Sequence, residues 1–231
     1  MCRVLLACCL LVLSLSACTS LNPTVIAVLV ADQSAELQQP LDLDALESRV
    51  EELCEGCAVK VYDAESDADT QSDQLDQALA ASADVVILDA VDPELAESLV
   101  QRTGEVPVLA VGTLVPGSDL FVGLTEPVDP PEGAESDLEA AREVILRDRK
   151  SFTFVPAAQI STRAAEVAVG ELVGKPVDGS VDTEGVPSWL FEPVEVNVQD
   201  LTSIVVAAGA LTLEELCSGD TAERCGKLGL V

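Results

Sequence analysis

The chain contains the stretches Val25-Ile26-Ala27-Val28-Leu29-Val30 and Val85-Val86-Ile87-Leu88. Both are short, unbroken apolar runs, with no polar residue at alternate positions. A strand with one solvated face alternates apolar and polar residues, whereas a strand covered on both faces is apolar throughout. These two runs therefore predict strands inside a parallel sheet that carries helices on both faces.

Helix and strand patterns alternate on both sides of these runs. Further strands are predicted near residues 58–62, 106–111, 120–123, 151–155 and 194–198. Helices are predicted near residues 42–53, 69–81, 93–102, 136–147 and 161–173, with shorter ones at 200–208 and 211–216. Repeated strand–helix units with short connections predict an α/β fold, a single three-layer lobe with a mostly parallel sheet, followed by an extended C-terminal segment.

The composition excludes several classes of function. The 231 residues include 41 acidic and 12 basic side chains and no histidine, which gives a formal net charge of −29. This charge argues against nucleic acid and anionic membrane surfaces as partners, because both require a basic patch. Without histidine there is no Ser-His-Asp triad, Cys-His dyad or histidine-containing zinc site. We therefore expect neither an enzyme nor a bound cofactor.

The N-terminus has the pattern of a secretory leader. Arg3 precedes an unbroken apolar run from Val4 to Leu13, and Leu15-Ser16-Ala17-Cys18 follows. This run is too short for a stable membrane span and predicts a signal peptide over residues 1–17. Cys18 directly after three small or aliphatic residues resembles a bacterial lipobox. The resemblance implies lipidation of Cys18, a tether over residues 18–24, and an exported protein held at the outer face of the cytoplasmic membrane.

Four cysteines remain after the leader and Cys18 are set aside. Cys54, Cys57, Cys217 and Cys225 allow three disulfide pairings in an exported protein, and the local pairing 54–57 with 217–225 fits the sequence best. A redox Cys-x-x-Cys motif normally opens a helix, whose dipole favours the thiolate. Here the motif closes a predicted helix among acidic neighbours, so we expect a structural disulfide.

Three stretches besides the lipobox resemble a known family. The chain is similar to the periplasmic sugar-binding proteins of bacterial ABC importers, in particular the xylose-type branch found as lipoproteins in actinobacteria. The matching stretches run over residues 50–59, 83–92 and 186–196. The resemblance implies a periplasmic-binding-protein-like fold, a monosaccharide ligand and an ABC permease as partner. Members of the family have two similar lobes and are longer than this chain.

The resemblance also implies a division of the chain. Residues 25–124 correspond to the first part of the sugar-binding lobe, and residues 125–135 form a loop that replaces the second lobe. Residues 136–175 supply a return strand and helix of the same lobe, and residues 176–231 form a C-terminal segment derived from the hinge. We therefore expect a truncated, degenerate solute-binding lipoprotein with weak or lost sugar binding. The alternative is an envelope lipoprotein outside transport that uses the one-lobe scaffold to bind other proteins.

Any remaining pocket is expected at the carboxyl ends of the parallel strands. The candidate ligand-binding residues there are Asp32, Gln33, Asp89, Thr113 and Thr125, although polar groups at strand ends also serve as loop and helix-cap hydrogen-bond partners.

A group of aspartates also raises the question of calcium. Asp67, Asp69 and Asp73 lack the glycine and the alternating ligands of an EF-hand loop. Asp69 suits a helix cap instead. No metal site is predicted.

Overall fold

The computed structural model describes residues 23–35, 37, 39–128 and 132–231. The predicted signal peptide and Cys18 lie outside the described residues, as does most of the tether. Among the residues described, no helix is both long and apolar enough to cross a membrane.

The main sheet has seven strands in the order β2-β1-β3-β4-β5-β8-β7. All neighbours in it are parallel except β7 and β8, which form an antiparallel hairpin at one edge. The strands of the chain are β1 (Thr24–Val30), β2 (Cys57–Asp63), β3 (Val85–Leu88), β4 (Val108–Gly112), β5 (Leu120–Leu124), β6 (Ser151–Phe154), β7 (Val181–Thr183), β8 (Val186–Phe191) and β9 (Val194–Asn197).

Helices cover both faces of this sheet. The helices are α1 (Leu43–Leu53), α2 (Ala68–Ala80), α3 (Pro93–Arg102), α4 (Asp137–Leu146), α5 (Ala157–Leu172), α6 (Leu213–Leu216) and α7 (Ala222–Leu228). One apolar core lies between the sheet and helices α1 and α5, and another lies between the sheet and helices α2 and α3. The prediction of an α/β, three-layer lobe with a mostly parallel sheet is confirmed.

The helices begin where short polar side chains can cap them. Asp42, Asp92 and Ser136 accept hydrogen bonds from backbone N–H groups in the first turns of α1, α3 and α4. The cap of α2 is Asp67, which accepts from the N–H of Thr70, and not Asp69 as predicted. The helix begins one residue earlier than predicted, so Asp69 lies in its first turn.

A smaller third core lies outside the main sheet. Strands β6 and β9 form an antiparallel pair, and α4, α6, α7 and a short π-helix (Thr202–Val206) pack around it. This differs from the expected division of the chain, because β6 pairs with β9 and only α5 returns to the main sheet. In β6, buried Phe152 and Phe154 alternate with half-buried neighbours. That pattern suits a strand covered on one face, whereas the inner strands of the main sheet are apolar throughout.

The C-terminal region is more regular than the sequence indicated. Residues 176–231 contribute β7 and β8 to the main sheet and β9, α6 and α7 to the smaller core. Sequence patterns did not predict the β7–β8 hairpin or α7.

Both local disulfides are present in the structure. Cys54–Cys57 joins the end of α1 to the start of β2, and Cys217–Cys225 joins the end of α6 to α7. Each bridge closes a short connection between neighbouring elements, which is the placement expected of a structural disulfide.

Candidate functional site

A cleft of about 590 Å³ opens at the carboxyl edge of the main sheet. Asp89 follows β3, Thr113 follows β4 and Thr125 follows β5, and all three line it. The structure thus brings together three of the predicted ligand-binding residues. Asp32 and Gln33 follow β1 at the same edge but do not line this cleft. Its volume falls within the range that holds a small organic ligand.

The segments that connect the two parts of the molecule form one side of the cleft. Pro127 and Val128 belong to the connection between β5 and α4, and Val155 belongs to the connection between β6 and α5. Both connections run between the main sheet and the smaller core. The cleft therefore lies where the chain passes from one part of the molecule to the other.

Asp89 is the half-buried charged group of this cleft. Its Oδ2 accepts a hydrogen bond from the backbone N–H of Ala31 at 3.2 Å. Burial raises the pKa of the Asp89 carboxyl to about 6, and the Ala31 N–H only partly offsets this effect. Around neutral pH the site thus holds a carboxylate that the protein solvates poorly, which is typical of groups that act on a ligand.

Gln71 fixes the backbone directly after Asp89, and the sequence patterns did not single it out. Its side chain is buried, donating from Nε2 to the carbonyl of Asp89 at 2.8 Å and accepting at Oε1 from the N–H of Val91 at 3.1 Å. The sequence pattern does indicate a buried Gln71, because this residue lies on the same helical face as Leu75 and Ala78. A polar residue on an apolar face is usually buried with specific hydrogen-bond partners.

Two glycines set the shape of the cleft. Gly112 has a φ of +77°, and a Cβ there would lie 2.8 Å from the Cβ of Pro40 and 3.8 Å from Oδ1 of Asp89. A Cβ on Gly123 would lie 2.2 Å from the ring of Phe121. The Phe121 ring, which lines the cleft, therefore packs against the backbone of its own strand at residue 123, where only glycine leaves room for it.

Asp32 is held by hydrogen bonds from its own loop and from the connection between β2 and α2. Its Oδ1 accepts from the N–H and hydroxyl of Ser34, at 2.8 and 2.6 Å, and its Oδ2 accepts from the hydroxyl of Ser66 at 2.7 Å. These bonds, with the Ser34 hydroxyl foremost, lower the pKa of the Asp32 carboxyl. The neighbouring Gln33 is exposed, and its N–H donates to Asp63. Both residues lie in the connection after β1, and neither lines the cleft.

A metal centre receives no support from the described part of the chain. Across residues 23–35, 37, 39–128 and 132–231, no three histidine, cysteine, aspartate or glutamate side chains come together as metal ligands would. Of the three aspartates that raised the question of calcium, Asp67 is engaged as the cap of α2.

Comparison with known proteins identifies the fold. No protein-family model matches the chain, and no curated protein matches its sequence. Among solved structures, an ABC transporter solute-binding protein from Clostridium phytofermentans with bound β-D-glucose matches with a TM-score of 0.65 and 9% identity, over 84% of this chain and 100% of the other. A carbohydrate transporter solute-binding protein from Chloroflexus aurantiacus in complex with D-glucose matches with a TM-score of 0.60 and 10% identity, over 83% and 97%.

A third match points the same way. An ABC transporter solute-binding protein from Bacillus halodurans with bound myo-inositol gives a TM-score of 0.55 and 12% identity, over 78% of this chain and 96% of the other. At such low identities the likeness concerns the fold. The chain has the fold of periplasmic sugar-binding proteins. All three neighbours are described as solute-binding proteins.

Proposed function

We propose that this chain is the solute-binding component of an ABC importer for a sugar or related polyol. The observation that carries the proposal is the cleft at the carboxyl edge of a periplasmic-binding-protein fold, with Asp89, Thr113 and Thr125 on its walls. Open parallel sheets bind ligands at this edge. The structural neighbours are described with glucose or myo-inositol bound.

We propose further that the protein works outside the cytoplasmic membrane, anchored through lipid on Cys18. The lipobox-like sequence supports this location, and the two local disulfides suit an oxidising compartment. In this arrangement the tether before β1 keeps the cleft close to a membrane permease.

The second lobe is proposed to be reduced to the small core around β6 and β9, with weak binding as the consequence. Paired hydrogen bonds to sugar hydroxyls require side chains that offer several donors and acceptors, and aromatic faces pack against the sugar ring. Among the described residues, the cleft walls carry one aromatic residue, Phe121, and no arginine, lysine, asparagine or glutamine. We expect dissociation constants on the order of millimolar, about −4 kcal/mol of binding free energy.

Calorimetry and thermal-shift measurements on the full-length chain in mild detergent test the proposal. Glucose, xylose and myo-inositol are the probes, and we expect saturable binding and a rise in Tm at ligand concentrations well above the dissociation constant. Asp32→Asn is the matched control, because it removes a carboxylate from the same edge outside the cleft. If no probe gives heat or a Tm shift at concentrations of tens of millimolar, active solute binding is wrong and a protein-binding role becomes the better hypothesis.

A further inference from the structure

The charged residues that line the cleft in the described part of the chain all have the same sign. Asp89, Glu126 and Glu184 line it, and none of the described arginines or lysines does. Glu126 and Glu184 are exposed at its rim, whereas Asp89 is half-buried at the end of β3. The cleft thus has a negative potential, and the net charge of −29 on the whole chain adds to it.

None of the described residues donates a hydrogen bond to Oδ1 of Asp89. Oδ2 is used by the Ala31 N–H at 3.2 Å, while Oδ1 faces the glycine at position 112. A Cβ at position 112 would lie 3.8 Å from this oxygen, in ordinary van der Waals contact, so glycine leaves more space beside it. A ligand that supplies a strong donor would compensate the poorly solvated carboxylate.

The other polar side chains that line the cleft, within the described part of the chain, offer few donors. They are the three threonines Thr113, Thr125 and Thr183, each with one hydroxyl donor. Ionised carboxylates only accept hydrogen bonds, so acceptors outnumber donors on the cleft walls. A ligand rich in donors fits this lining better than one rich in acceptors, and an anionic ligand would be repelled.

We infer that the cleft selects a polyol that carries an ammonium group, such as an amino sugar, with the ammonium placed against Oδ1 of Asp89. This inference rests on the proposed function, because it names the class of solute for the same cleft. A charge-assisted hydrogen bond is stronger than a neutral one by an amount that corresponds to about tenfold in affinity. Neutral sugars would bind more weakly, and sugar phosphates would not bind.

Titration calorimetry with matched ligands tests the inference. Glucosamine, N-acetylglucosamine and glucose share one ring and differ in the group at a single carbon, and only glucosamine carries a positive charge. With the full-length chain in mild detergent at about pH 7 and low salt, where the Asp89 carboxyl is mostly ionised, we expect glucosamine to bind about tenfold more tightly than the other two. Added salt should reduce this preference.

Substitutions test which residue is responsible for the expected preference for glucosamine. In Asp89→Asn, the affinity for glucosamine is expected to fall to that for glucose. Asp32→Asn makes the same change at the same sheet edge and should leave the preference for glucosamine unchanged. Glu184→Gln at the rim should weaken it less than Asp89→Asn, because its carboxylate is exposed to solvent. A preference that survives in Asp89→Asn would reflect general attraction to an acidic protein and would overturn the inference.

The two proposals fail in different ways. Equal affinities for glucosamine and glucose would overturn the selection of an ammonium group and leave solute binding standing. Tight binding of N-acetylglucosamine would show that shape, not charge, sets the preference, which also overturns it. Failure of all three ligands to bind, together with failure of the neutral polyols, would overturn both proposals.

Discussion

Two aspartates follow neighbouring strands at the same edge of the sheet, and their surroundings are opposite. Asp32 comes after β1 and receives hydrogen bonds from Ser34 and Ser66, which lower the pKa of its carboxyl. Asp89 comes after β3, and its carboxyl accepts one hydrogen bond of 3.2 Å from the backbone N–H of Ala31. Burial raises the pKa of this carboxyl to about 6. Hydrogen bonds thus stabilise the charge on Asp32, whereas burial leaves the charge on Asp89 poorly solvated.

The largest loss of stability is expected at Gly112, at the end of β4, which lies against Pro40 of the loop after β1. Gly112→Ala places a Cβ against Pro40 and forces a non-glycine residue into a φ of +77°. We expect a loss of about 2–5 kcal/mol in unfolding free energy, from left-handed strain together with overpacking, measurable by denaturant titration. Gly104→Ala is the control, because Gly104 has a φ of +67° but open space around it. A similar loss in both variants would contradict the close approach of Pro40.

Asp89→Asn is expected to stabilise the protein near neutral pH. With a pKa of about 6 against an ordinary 3.8, the folded state binds more protons than the unfolded state between about pH 4 and 6. Stability therefore falls as pH rises through this window, by at most about 3 kcal/mol and less with screening at the cleft mouth. Asparagine removes this penalty. Thermal melts should show a higher Tm at pH 7 and no gain below about pH 4; an unchanged Tm at pH 7 would contradict burial of the charge.

Gln71→Met tests what holds Asp89 in place. The substitution leaves the carbonyl of Asp89 and the N–H of Val91 without their buried partner, so we expect a loss of about 1–3 kcal/mol in unfolding free energy. Ligand affinity should fall as well, because the Asp89 backbone loses its anchor. Gln74→Met on the same helix is the control, since Gln74 donates a single bond to the Asp63 carbonyl and neither residue lines the cleft. A smaller loss of unfolding free energy in Gln71→Met than in Gln74→Met would contradict this role of Gln71.

The smallest effect is expected at Asp32. Asp32→Asn weakens hydrogen bonds in an exposed loop and should lower Tm slightly at neutral pH, opposite in sign to Asp89→Asn. Because the folded pKa is lowered, the contribution of Asp32 is present above its ordinary value and is lost as pH falls through the folded pKa. Melting curves over acid pH should therefore converge with those of the parent chain. A stabilising Asp32→Asn would remove the contrast between the two aspartates.

Much of the site was predictable from the ends of the apolar runs. Thr113, Thr125 and Asp89 were predicted as candidates because polar residues follow each strand, and the structure places all three on one cleft. The same rule also selected Asp32 and Gln33, which lie at the same sheet edge but do not line this cleft. Strand ends indicate which edge a residue occupies, but the local sequence does not reveal whether neighbouring loops will surround its side chain with donors.

The sequence by itself determined the layered α/β lobe, since apolar runs, helical periodicity and capping residues are local features. Only the tertiary structure decided that β6 pairs with β9 and that Gln71 donates a hydrogen bond to the Asp89 carbonyl. It also decided that the Asp89 carboxylate is poorly solvated. These properties depend on segments distant in sequence that meet in space. Solvation of a charge is set by everything packed around it, and a sequence pattern records only its neighbours along the chain.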